Sequence, residues 1–143
     1  MAVFHQVNVA YERQTGEDNP GKVKETYLVE AVSCADAEQQ VKEHVQPLMW
    51  GNDCDIPQVR KRLFFDVFPS EDKTLWFEAK VELIATENDR ETRKAVKFLI
   101  QEDSIHQALK ELKFKLSAID CDIISIAQSP IIEVMRNEIV SCE

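Results

Sequence analysis

The chain carries its own pattern twice. Tyr27-Leu28-Val29-Glu30 stands over Phe98-Leu99-Ile100-Gln101, 71 positions later, and the same offset sets Ser33 on Ser104, Cys34 on Ile105, Ala37 on Ala108, Val41 on Leu112 and Val45 on Leu116. Upstream the offset is 72, with Phe4 on Trp76, Val7 on Ala79, Val9 on Val81 and Tyr11 on Leu83. Downstream it is 67: Asp53-Cys54-Asp55-Ile56 meets Asp120-Cys121-Asp122-Ile123, and Phe64-Phe65-Asp66-Val67-Phe68 meets Ile131-Ile132-Glu133-Val134-Met135. The offset changes only where a loop can absorb an insertion. Self-similarity over this length constrains the fold more than any single motif, because both halves must form the same unit.

Each half reads as β-β-α-β-β. Val7, Val9 and Tyr11 alternate with polar neighbours, the period of a strand with one buried face. The turn formers of residues 13–21 follow, then a second strand from Val23 to Val32. In the other half Phe77, Ala79, Val81 and Leu83 alternate, Thr86 to Asp89 turn the chain, and Val96, Phe98 and Ile100 alternate in return. Ser33 and Ser104 sit where an N-cap belongs, and Ser104-Ile105-His106-Gln107 has the form of a capping box. The helices place Cys34, Ala37, Val41, Val45 and Leu48 on one stripe, and Ile105, Ala108, Leu109, Leu112, Leu116 and Ile119 on the other. Pro47 limits the first helix to about three turns.

The expected architecture is therefore α+β: a tandem β-β-α-β-β duplication with pseudo-twofold symmetry, its antiparallel sheet covered on one face by both helices. Residues 1–143 are expected to form a single compact domain of two repeats, 1–70 and 71–143, since a half of about 70 residues buries little by itself.

Composition narrows function mainly by exclusion. Twenty-six acidic residues against seventeen basic ones give a net charge of −9, which disfavours a partner held by bulk phosphate attraction. The three glycines allow no phosphate-binding loop, and no serine-hydrolase, zinc-protease or kinase signature occurs. No catalytic residue, cofactor or metal is expected, and the reading is not an enzyme. No apolar run approaches the ~20 residues of a membrane span, and Met1 to His5 lack a basic leader. A cytoplasmic setting with reduced cysteines follows.

Four groups of side chains are candidates for function. Arg60, Lys61 and Arg62 form a basic cluster at an expected turn between the last two strands, where the other half has Ala127, Gln128 and Ser129. Arg90, Arg93, Lys94 and Lys97 form a second cluster on the second hairpin. Together they would suit a phosphate-bearing ligand, a nucleotide or nucleic acid. Trp76, Phe114, Leu28 and Leu99 fall off the expected core faces, as aromatic and aliphatic anchors of a protein interface do. The doubled Asp-Cys-Asp could bind a divalent cation or do acid–base chemistry through Asp53, Asp55, Asp120 and Asp122. Its recurrence in both halves favours a structural role, with aspartates in turns and Cys54 and Cys121 in the core.

Tyr27-Leu28-Val29-Glu30-Ala31-Val32-Ser33 with the Ala-Asp-Ala-Glu helix start, Trp76-Phe77-Glu78-Ala79-Lys80-Val81 and the Pro-Ile-Ile-Glu-Val ending resemble an uncharacterised family of small proteins from Bacteroidota and their phages, a domain of unknown function. The chain departs from that family where His5 takes a usually aromatic position. The resemblance implies a bacterial cytoplasm or an infected host cell and transfers no catalytic residue. The first functional expectation is a non-enzymatic binding or regulatory module acting through a protein–protein surface, self-associating as a homo-oligomer or serving as a phage-encoded inhibitor or adaptor. The phosphate-ligand reading is the alternative.

Overall fold

The computed structural model describes residues 2–13 and 21–136. In chain order these form β1 (Ala2–Arg13), β2 (Gly21–Glu30), α1 (Cys34–Val45), a 3-10 turn (Gln46–Leu48), β3 (Met49–Phe64), β4 (Asp66–Phe68), β5 (Leu75–Glu87), β6 (Arg90–Glu102), α2 (Ile105–Lys115), β7 (Cys121–Ser129) and β8 (Ile131–Met135). The turn of the first hairpin lies outside the described residues.

The expected single antiparallel sheet under two helices is not what the chain forms. It is mostly β, with two separate four-stranded sheets and two short helices. Sheet I has the order β3-β1-β2-β8 and sheet II the order β4-β6-β5-β7. Among the described residues the contacts divide the chain accordingly into unit I, within 3–62 and 131–136, and unit II, 63–130 with Ala2.

The strand that ends each repeat pairs in the sheet built by the other repeat. In sheet II, Asp66, Val67 and Phe68 run parallel to Phe98, Leu99 and Ile100. In sheet I, Glu133, Val134 and Met135 run parallel to Tyr27, Leu28 and Val29. The two registers match position for position under the sequence offsets. Only one residue, Phe65 or Pro130, separates each of these strands from the one before it. A hairpin needs about two residues in its loop, so neither strand can fold back on its predecessor.

Local grammar behaves as the sequence requires. Ser33 Oγ accepts from the Asp36 amide at 3.1 Å, Asp36 Oδ2 accepts from the Val32 amide at 3.2 Å, and Ser104 Oγ accepts from the Gln107 amide at 3.2 Å. Pro47 lies in the 3-10 turn that ends α1. Asn88 and Asp89, at φ 52° and 62°, make the two-residue turn of the β5–β6 hairpin, a left-handed pair these residue types tolerate.

Each unit has its own core. In unit I, Val7, Val9, Tyr11, Tyr27 and Val29 of the sheet meet Ala37, Val41 and Val45 of α1. In unit II, Phe77, Ala79, Val81, Val96, Phe98 and Ile100 meet Ala108, Leu112 and Leu116. The helix stripes are narrower than the spacing suggested. Cys34, Ile105 and Ile119, expected inward, are exposed. Cys34 and Ile105 open their helices, beyond the turns that face the sheet.

Candidate functional site

The two basic clusters differ in what already holds them. Arg60, Lys61 and Arg62 stand on the extended edge strand β3, not at a turn. Arg60 and Lys61 are exposed, and Arg62 Nη1 donates to Gln6 Oε1 at 2.6 Å. On β6 the opposite holds. Arg93 donates to Asp122 at 2.9 Å, Glu91 at 3.1 Å and Glu82 at 3.2 Å. Its bonds to Asp122 and Glu82, then the Glu91 charge, raise its already high pKa further. Lys97 Nζ lies 3.3 Å from Glu78, while Arg90 and Lys94 are exposed. A phosphate arriving at β6 would have to compete with four carboxylates already in place.

Of the four expected interface residues, only Phe114 is on the surface, 75% exposed. Leu28 and Leu99 are fully buried and Trp76 is 3% exposed. Leu28 lies between Gln6 of β1 and Val134 of β8, and Leu99 between Glu78 of β5 and Val67 of β4. Those strands occupy interior places in their sheets, which alternation alone does not reveal.

The Asp-Cys-Asp pairs occupy edge strands or their approaches. Cys54 and Cys121 pack half-buried against the two cores, while Asp53, Asp55, Asp120 and Asp122 are exposed. Burial, then the charges of Asp120 and Asp122, push the Cys121 thiol up, which lowers its thiolate fraction. Among the described residues no group of three or more His, Cys, Asp or Glu is placed to hold a metal.

One constellation was missed by the sequence reading. On the helix-facing side of sheet I, Tyr11 and Tyr27 both donate to Glu25 Oε1, at 2.5 Å and 3.0 Å, and Arg13 lies 3.5 Å from Glu25 Oε2. The His44 ring stands edge-on to Tyr27 at 5.2 Å, and its Nε2 lies 2.8 Å from Glu133 Oε2. Burial, then the Glu25 bond and charge, push the Tyr11 phenol up to about 12 and raise Tyr27 as well. A tyrosine so held stays a proton donor at neutral pH; it is not a base. Close by in sequence, His5 is buried, and its Nδ1 has no hydrogen-bond partner among the described residues. The signal was available. Glu25 shares the inward phase of Tyr27 and Val29, and its counterpart 71 positions on is Val96.

A protein-family comparison matches residues 3–137 to the family described as Domain of unknown function (DUF4494). No curated protein matches the chain.

Proposed function

The chain belongs to that family, whose description names no activity, and we propose from its own residues that it is a non-enzymatic binding module. Its setting on this reading is a bacterial cytoplasm or a phage-infected host, where a small inhibitor or adaptor would act. Among the described residues no helix is long and apolar enough to cross a membrane. The observation that carries the proposal is Phe114. It is the most exposed aromatic side chain of the described fold, at 75%, on α2 among exposed Lys110 and Lys113 and half-buried Glu111. Its counterpart in the other repeat is Glu43, so the fold does not require an apolar group there. An exposed aromatic ring with two lysines beside it suits an acidic protein surface with an apolar pocket. The carboxylates around Arg93 and Lys97 leave the phosphate-ligand alternative without a specific observation in its favour.

The test places a photo-crosslinking side chain at position 110 or 113 in cells. A discrete protein adduct that vanishes with Phe114→Ala, in a variant melting like the wild type, supports the proposal. An adduct pattern that Phe114→Ala leaves unchanged overturns it.

A further inference from the structure

The edge strand β3 has a charge pattern that reads the same against itself. Cys54, Ile56 and Val59 turn toward the core of unit I. The step from 56 to 59 exceeds the strand period of two, so one extra residue around Pro57 and Gln58 shifts the phase. As a result Asp53 and Asp55 before the shift, and Arg60 and Arg62 after it, all lie on the other face. The bonds from Asn8 Nδ2 to Gln58 Oε1 (3.1 Å) and from Arg62 to Gln6 confirm that face and the antiparallel run of β3 along β1. Asp53, Asp55, Arg60 and Lys61 are exposed and enter no ion pair among the described residues. The corresponding edge of unit II lacks the device: Asp122 is held by Arg93, and Ala127, Gln128 and Ser129 stand where the cations would be.

We propose that β3 is a self-recognition edge, on which a second copy of this chain adds its own β3 antiparallel. Centred between Pro57 and Gln58, the pairing sets Asp53 opposite Arg62 and Asp55 opposite Arg60, each twice by symmetry. Ile56 meets Val59 on the inner face. Acid and base halves thus meet only in the antiparallel, isologous arrangement, and a parallel pairing stacks like charges. Pro57, which has no N–H, sits at the centre, so the ladder is interrupted at the axis and continues on both sides. A contact through one strand edge and a few charge pairs holds a weak, salt-sensitive dimer. The inference deepens the binding reading by naming one partner, and it does not involve Phe114.

Sedimentation velocity on the full chain tests it. The wild type is expected to dimerise at low salt and to weaken about tenfold or more at high salt. Asp55→Arg and Arg60→Asp should each weaken the dimer about tenfold or more, because each sets like charges face to face. An equimolar mixture of the two variants should dimerise again, as should the double variant Asp55→Arg/Arg60→Asp, which also shows that both fold. The milder pair Asp55→Asn and Arg60→Gln should weaken the dimer less. A wild type that stays monomeric at high concentration, or a dimer indifferent to the single reversals, overturns the proposal. So does a mixture of folded variants that stays monomeric. If Phe114→Ala alone dissolves the dimer, association runs through α2: this proposal falls and the binding reading stands.

Discussion

Units I and II share one backbone plan and fill it with different chemistry. The β1–β2 pairing Val7↔Tyr27, Val9↔Glu25, Tyr11↔Val23 is repeated as Ala79↔Phe98, Val81↔Val96, Leu83↔Lys94. Yet where unit I has His5, Tyr11, Glu25, Tyr27 and His44, unit II has Phe77, Leu83, Val96, Phe98 and Lys115. Unit II fills the place of the tyrosine–glutamate cluster with apolar side chains, and Phe68 stacks on Phe98 at 5.7 Å under the Lys115 ammonium. On the opposite sheet faces the polarity reverses. Sheet II is laced by Arg93 and Lys97 ion pairs, whereas sheet I has the uncharged Thr26–Asn8–Gln58 ladder. The fold needs inward side chains of fitting volume, and it holds the part-buried Glu25 carboxylate where two tyrosine hydroxyls donate to it.

The largest expected effect probes what the units share. Leu112 and Val41 are the fully buried equivalents on α2 and α1. Leu112→Ala should cost about 2–5 kcal/mol in a denaturant titration, and Val41→Ala less, since fewer atoms leave. The reverse order would show that the two cores are not equivalent.

The next effect probes where they differ. Glu25→Ala leaves two tyrosine hydroxyls without their acceptor and should cost about 1–3 kcal/mol. Importing unit II chemistry as Tyr11→Leu, Glu25→Val and Tyr27→Phe together should cost less than Glu25→Ala alone, because no polar group is then stranded. If the triple variant is the less stable one in the same titration, the cluster is part of what specifies the fold.

A pH titration sharpens the same contrast, since Tyr11 and Tyr27 are the only two tyrosines. Their raised pKa values mean that the folded chain keeps protons which the unfolded chain releases near the ordinary value of about 10. Stability is therefore complete below pH 10 and is lost as pH rises toward about 12. Phenolate absorbance should stay low at pH 10.5 in native protein and rise on adding denaturant. Equal absorbance in both would remove the shared Glu25 acceptor from the account.

The smallest effect belongs to Phe114. Phe114→Ala should stay within about ±0.5 kcal/mol, as surface changes usually do. A larger loss in the melting curve would place the ring against the fold and withdraw it from any partner.

Duplication, strand phase and helix caps were legible because they are local. Ser33 and Ser104 cap helices through neighbouring amides, and Val41 and Leu112 repeat at helical spacing whatever surrounds them. The site was less legible. Phe114 reads as exposed from helix phase alone, but Leu28, Leu99 and Trp76 read the same way and are buried. Alternation shows that a residue leaves one face of a sheet; it does not show whether the other face is covered.

Sequence alone thus established two copies of one unit, their hairpins and helix starts, and the strand and helix positions that meet in each core, such as Val7, Val41, Ala79 and Leu112. Tertiary structure decided where the closing strands go. Val67 pairs beside Leu99 and Val134 beside Leu28, each in the sheet of the other repeat. Duplication makes the two destinations nearly identical in pattern, so no local preference separates them. The single residues Phe65 and Pro130 forbid a hairpin, and each closing strand takes the parallel place beside a buried leucine.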